Sequence, residues 1–251
     1  MQKYAAIILA AGKGTRMNEG KNSPIPKVMF EIEGKPMIDY SIENLAKAGF
    51  KKPIVVVGFK GQMVQKHLDD RAIFAWQKKR LGTAHAVICA EQVISKNIKT
   101  ILVINSDDSA FYDPKMIQKL VQEHLKNKAK MTLLTVSLAD PAGLGRIIKD
   151  SSNHVLTIVE EKLASPDVKK IKEVNTGCYV FSSDFLWQNL KKIRKNPTGE
   201  YFLTDLVEIA NKKGSKVIAF QTDVEHWRGI NTPEQLEKAR IHMRRILKKR
   251  K

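Results

Sequence analysis

"YAAIILAAGKGTRM", residues 4–17, decides the fold. Residues 4–9 form an unbroken apolar run of strand length, which reads as a short buried strand. The chain then goes straight into two glycines bracketing Lys13, with Arg16 two places on. Gly12 and Gly14 can take backbone angles closed to other residues and let another molecule approach the main chain closely. Lys13 and Arg16 bring positive charge to the same turn. A strand feeding a cationic glycine turn suits an anion, and a polyphosphate is the first candidate.

Outward from this turn, strand-like and helix-like segments alternate. Strands are expected at 4–10, 54–58, 73–77, 100–105, 131–138, 176–182 and 216–221. Several run apolar without alternation, the pattern of strands covered on both faces. The helices between them carry start and stop signals. "DPKMIQKLVQEHL" opens with Asp113 as N-cap and Pro114 at the first helical position. "TPEQLEKA" has Thr232 and Gln235 in capping-box spacing. "MIDYSIENLAKAGF" ends on Gly49 as a C-cap. Residues 145–172 are less regular, and a short antiparallel excursion that covers a site is expected there. The fold class is α/β: a mostly parallel, mixed sheet between helices, a Rossmann-like three-layer arrangement.

Composition sets further bounds. The 251 residues, 43% hydrophobic and 28% charged, suit one large domain. Cys89 and Cys178 fit no zinc or redox spacing and read as reduced, buried thiols of a cytoplasmic protein. No apolar segment is long enough to span a bilayer, and the N-terminal run is too short for a signal peptide. The formal net charge is +18, of which residues 236–251 contribute +7. The remainder is spread along the chain, which argues against a dedicated nucleic-acid patch.

The glycine turn matches neither common nucleotide fingerprint. G-x-x-x-x-G-K-[ST] is absent, and the third glycine of G-x-G-x-x-G is replaced by Met17. The companion segments are more informative. Lys27 follows two prolines in "SPIPK". Gln77 ends a strand just before Gly82 and Thr83, and an amide can pair with the edge of a base. Asp107 and Asp108 end the central strand, where ligands bind in parallel sheets. Asn231 precedes a capped helix. An aspartate with a second oxygen ligand, completed by substrate phosphates, is how magnesium is held.

With these segments in view, the chain resembles the sugar-nucleotide pyrophosphorylases, which are nucleotidyltransferases with the nucleotide-diphospho-sugar transferase fold. It is most similar to the uridylyltransferase domain of bifunctional N-acetylglucosamine-1-phosphate uridylyltransferases. "LAAGKGTRM", "PKV", "LGTAHA", "GLGRI", "IVEEK", "NTG", "GEYFLTDL" and "GINT" come in family order and cover nearly the whole chain. The resemblance implies that Leu9, Ala10, Ala11, Gly12 and Gly14 line the nucleotide pocket. Arg16 and Lys27 hold phosphates. Gln77, Gly82 and Thr83 read uracil, and Asp107 and Asn231 bind Mg2+. Gly145, Glu160 and Asn175 contact the sugar. The implied partners are UTP and a sugar 1-phosphate, the implied products UDP-N-acetylglucosamine and pyrophosphate. A hexose 1-phosphate with UTP or dTTP is the alternative, as is a sugar-nucleotide-binding domain without turnover.

The resemblance also sets domain expectations. Residues 1–231 form the nucleotidyltransferase unit, and residues 232–251 a basic amphipathic helix packed on it. The left-handed β-helix of the bifunctional enzymes has no counterpart, so acetyl transfer is not expected, and a separate acetyltransferase is a conceivable partner. The chain departs from the family in three places. Ser106 and Ser109 stand where a glycine and a proline flank the metal aspartate, and Asn105 where similar members have a tyrosine near the sugar. A serine there crowds the nucleotide or hydrogen-bonds it. Other residues have plainer readings: Asp108 as an exposed strand-end acid or a partner behind the metal, His85 and Trp227 as packing. Tyr201, Phe202 and Leu206 read as helix anchors.

Overall fold

The computed structural model describes residues 3–18 and 23–249. The parts of the expected domain ranges on residues 1–2, 19–22 and 250–251 lie outside the described residues. In chain order the strands are β1 (Tyr4–Ala10), β2 (Glu31–Ile32), β3 (Lys35–Pro36), β4 (Ile54–Val57), β5 (Ile73–Trp76), β6 (Thr100–Asn105), β7 (Met131–Ser137), β8 (Arg146–Lys149), β9 (Val155–Val159), β10 (Glu173–Ser182) and β11 (Val217–Thr222). The α-helices are α1 (Met37–Lys47), α2 (Gly61–Leu68), α3 (Thr83–Ala90), α4 (Pro114–Lys126), α5 (Pro166–Lys169), α6 (Ser183–Leu190), α7 (Leu206–Lys212) and α8 (Pro233–Lys249). None is long and apolar enough to cross a membrane among the described residues.

The main sheet runs β11-β7-β10-β6-β1-β4-β5, with β8 on β10 and β9 on β8. β1 pairs in parallel with both β4 and β6, and β10 runs antiparallel to β6, β7 and β8. The chain leaves β1 toward β4 and β5 on one side, then returns to β6 on the other. This reversal opens a crevice beyond the carboxyl ends of β1 and β6, where Leu9 lies in register with Asn105.

The two-residue period of β1 feeds two apolar layers. Ala6, Ile8 and Ala10 pack with α1, α2 and α4. Ile7 packs on the opposite face with α3, α6 and α7. A smaller cluster joins Met17, Ile32 and Met37 to Phe111, Ile230 and the Leu236, Ala239 and Met243 face of α8. Leu247, near the end of α8, is exposed.

Local signals act where they were read. The Asp113 carboxylate accepts from the N–H groups of Lys115 at 2.8 Å and Met116 at 3.2 Å. Beyond α1, Gly49 takes φ +99°. Its N–H bonds to Ala46 O and that of Phe50 to Leu45 O, a Schellman stop. At α8, Thr232 Oγ1 accepts from Gln235 N at 3.3 Å, but Gln235 Oε1 accepts from Asn231 N at 2.6 Å. The box therefore closes one residue upstream of the usual position and holds the backbone of Asn231.

The expected excursion is the β8–β9 hairpin, followed by a turn at Glu161–Leu163 and by α5. β10 begins at Glu173 rather than 176, because Val174 pairs with both Val136 and Arg146. Its register shifts between Asn175 and Tyr179, around Gly177 at φ +73°. The β2–β3 hairpin was not expected, since two-residue strands carry no periodicity. Its turn places Glu33 and Gly34 at positive φ. Cys178 is buried and Cys89 only half-buried, both free.

Candidate active site

The crevice at the end of β1 is lined on one side by Gly12, Gly14, Arg16, Lys27, Asp107 and Asn231, enclosing about 230 Å³. A contiguous lobe of about 330 Å³ continues past Leu9, Ala11 and Gly12 to Gln77, Gly82 and Thr83. Ala10 does not line either part. The alternation of β1 turns it into the core beneath α1, while Leu9 faces the crevice.

Charge converges at the first lobe. Lys27 Nζ donates to Asp107 Oδ2 and, at 2.8 Å, to Asn231 Oδ1. Arg16 Nη2 donates to the same Asn231 oxygen at 2.8 Å. Gly14, at φ +64°, makes room for Lys27: a Cβ there would stand 2.9 Å from Lys27 Cβ. The loops carrying the two oxygens are joined through Ile230 N and Asp107 O at 3.3 Å. Trp227 braces the second loop through Nε1 to Thr176 O at 3.2 Å. Lys13 turns away and lies over the Phe59 ring, 5.8 Å from its centroid.

Three readings around β6 are corrected. Asp108 is buried, not exposed. Burial, and then the charge of Asp107, push its carboxyl well above the usual range. Space for it comes from Gly177 and Gly229, whose Cβ atoms would stand 3.2 Å and 3.3 Å from its oxygens. Ser106 and Ser109 spend their hydroxyls on the protein. Ser106 Oγ donates to Leu9 O at 2.7 Å, and Ser109 Oγ bonds Ser41 Oγ at 2.7 Å. Both are buried; Ser109 lines neither part of the crevice, while Ser106 is part of the wall of the first. Asn105 occupies the gap above Gly177, where a Cβ would meet Asn105 Nδ2 at 2.1 Å.

In the second lobe Gln77 is only 5% exposed. Its Nε2 donates to Gly82 O at 3.0 Å and to His85 Nδ1 at 3.1 Å. His85 is half-buried rather than in the core, and burial lowers its pKa. Gly82, at φ +94°, is clamped by Tyr201: a Cβ would stand 2.4 Å from Tyr201 O. Thr83 Oγ1 accepts from Leu203 N at 2.9 Å. Phe202 was read as a helix anchor; it lines this lobe with Glu200 and Arg80. Glu200 and Phe202 stand in the quoted "GEYFLTDL" segment, but neither was read as lining a pocket, and Arg80 lies in no quoted segment. The basic run 78–80 was the only sequence signal for Arg80.

The third group sits where β8, β9 and β10 meet. Asn175 N donates to Gly145 O at 2.9 Å, and Asn175 Nδ2 to the Tyr179 hydroxyl at 2.7 Å. A Cβ on Gly145 would lie 3.5 Å from Glu160 Oε1. Burial, and then Asp205, raise the Glu160 carboxyl. Its neighbour Glu161 pairs with Arg146 Nη2 at 2.7 Å, and Arg146 is 2% exposed. Arg146 was not picked out from the sequence. A buried arginine in a "GLGRI" hairpin carries no periodic signal.

Comparisons with known proteins identify the family. Residues 5–245 match the family model described as nucleotidyl transferase. The chain is 39% identical over 241 residues to the bifunctional protein GlmU of Heliobacterium modesticaldum, covering 95% of this chain and 52% of that protein. It is 42% identical over 244 residues to the protein of that name from Pelotomaculum thermopropionicum, covering 96% and 52%. The figure for Bacillus licheniformis is 36% over 252 residues, covering 100% and 54%. The chain thus spans about half the length of the curated relatives it matches. The chain belongs to the nucleotidyl transferase family.

Proposed function

We propose that this chain transfers the uridylyl group of UTP to N-acetylglucosamine 1-phosphate, releasing pyrophosphate and UDP-N-acetylglucosamine. The observation that carries the reading is the convergence of Lys27, Asp107 and Asn231 in a crevice contiguous with the Gln77 lobe. Residues 1–231 act in this reading as one catalytic unit braced by the helix from 232, in a cytoplasmic setting.

The donor set fits magnesium. A carboxylate oxygen and an amide oxygen already converge on one cationic group, the Lys27 ammonium. Two hard oxygens leave positions for substrate phosphates, as magnesium sites do. Among the described residues no cluster of three His, Cys, Asp or Glu forms a fuller cage. When bound there, the ion supplies charge neutralisation to the reacting phosphates.

The sugar phosphate needs no base, because its second pKa is near ~6 and it arrives mostly dianionic at neutral pH. One of its oxygens forms a bond to the α-phosphorus as the bond to the pyrophosphate oxygen breaks, and the pyrophosphate keeps the electron pair. The obstacle is repulsion between polyanions. Lys27 and Arg16 offset that charge, and the glycine turn brings backbone N–H groups close to the triphosphate. Glu160 and Asn175 orient the sugar by its hydroxyl and amide groups.

The test is pyrophosphate release with magnesium and UTP across a panel of sugar 1-phosphates. Release with N-acetylglucosamine 1-phosphate above all others supports the reading. Release only with glucose 1-phosphate or with dTTP moves the specificity. No release from folded protein that binds UTP overturns the transfer.

A further inference from the structure

The Gln77 amide has two N–H groups, and the protein uses both. One goes to Gly82 O and the other to His85 Nδ1, at 3.0 and 3.1 Å. The reverse orientation would set its carbonyl oxygen against the carbonyl of Gly82, two acceptors with no proton between them. Gly82 cannot yield. It is wedged against Tyr201, and the bonds Ala84 N to Tyr201 O (3.0 Å) and Tyr201 N to Leu81 O (2.8 Å) close around it. The second acceptor is a side chain and is therefore a choice of sequence. Its Nδ1 also lies 4.0 Å from the Cys89 thiol. With Nδ1 accepting, the His85 proton sits on Nε2. Burial holds the ring toward this neutral form.

Only the acceptor of Gln77 is then left for a ligand. Among the described residues Gln77 Oε1 has no hydrogen-bond partner, and it is not sealed from the lobe that Gln77 lines. An acceptor fixed there matches a base edge that presents an N–H, as uracil does at N3. Cytosine presents a lone pair at that position and meets it unfavourably.

We infer that His85 is a positioning residue that sets base selection, by locking the Gln77 amide so that only its carbonyl oxygen meets the base. The inference rests on the uridylyl reading above. Without His85 the amide is held in this orientation by the Gly82 carbonyl alone, so turning it to offer an N–H to cytosine costs less.

The experiment measures kcat/KM and calorimetric affinity for UTP and CTP, with magnesium, in wild type, His85→Ala and His85→Asn. Asparagine can place an oxygen close to the position of the lost Nδ1. The expected result is that the UTP preference of His85→Ala falls about fivefold, the scale of one hydrogen bond, through a gain for CTP. His85→Asn restores most of the preference. Equal losses for both nucleotides in His85→Ala would reduce His85 to packing and overturn the inference. Wild type that binds both nucleotides equally also overturns it, and with it the role of Gln77. Wild type that binds neither nucleotide removes the uridylyl reading itself.

Discussion

Lys27 Nζ and Asn231 Oδ1 meet at 2.8 Å although 204 positions separate them in the chain. The contact closes the crevice at the end of β1 and places a cation between an amide and the Asp107 carboxylate. Lys27→Ala therefore removes positive charge from the point where the transferred phosphate is expected. We expect kcat to fall by about 10²–10³, the usual scale for removing one preorganised charge contact. The circular dichroism spectrum should stay that of the wild type, since Asp107 can rehydrate from the crevice. A near-normal rate of pyrophosphate release would remove Lys27 from the mechanism.

Glu160 gives a prediction with opposite signs for stability and activity. Burial, and then Asp205, raise its folded pKa, so the ionised carboxylate is held at a cost. That cost appears as pH rises through the usual carboxylate range and is complete above the folded pKa. Glu160→Gln should thus keep or raise Tm at pH 7.5 and flatten its fall between acid and neutral pH. The same change should raise KM for the sugar 1-phosphate and leave that for UTP unchanged. A shift in the UTP value alone would place Glu160 on the wrong substrate.

His124, in the last turn of α4, is buried, with Nδ1 3.0 Å from Thr132 Oγ1. Burial, helped by the charge of Lys130, lowers its pKa from 6.5 to about 4. A depressed folded pKa means that stability is full above pH 6.5 and is lost as pH falls toward 4. The loss below pH 4 is about 3 kcal/mol, from ~1.4 kcal/mol per unit. Urea midpoints measured from pH 7 to 4 should show this slope, and His124→Gln should reduce it. An unchanged slope in the variant would assign the acid sensitivity to other groups.

The buried Arg146 holds Glu161, and with it the turn that presents Glu160. Arg146→Met should lower Tm by several degrees and raise KM for the sugar 1-phosphate, with little change for UTP. Glu161→Gln in the same background should add less than it does alone, because the two act as one unit. Additive effects on KM would show that the pair does not position Glu160.

The sequence signals that held are local ones. The apolar run of residues 4–10 and the unalternated runs at 54 and 100 became β1, β4 and β6, because a strand covered on both faces needs apolar residues throughout, while the run at 73 became the edge strand β5, with Ile73 and Trp76 exposed. Asp113, Gly49 and Thr232 acted at helix ends because caps depend on a few adjacent backbone groups. The motifs also marked Gly14, Lys27, Gln77, Asp107 and Asn231, and all five line the crevice.

Which way a side chain faces was settled only by tertiary structure. Ala10 and Leu9 belong to the same motif, yet the pleat sends one into the core and the other into the crevice. Whether Ser106 and Ser109 crowd a nucleotide or hydrogen-bond it was open in the sequence; in the fold their hydroxyls bond Leu9 O and Ser41 Oγ. Asp108 looked exposed at a strand end, but the chain returns over it with Gly177 and Gly229, whose missing side chains let it be enclosed. Sequence alone determined the strand and helix periods, the caps and the chemical types gathered at the site, because these follow from short-range spacing. The partners of Gln77, Asp108 and Arg146 come from segments distant in sequence or from the turn of a helix, so only the packed fold decided which atoms they keep and which they leave for a ligand.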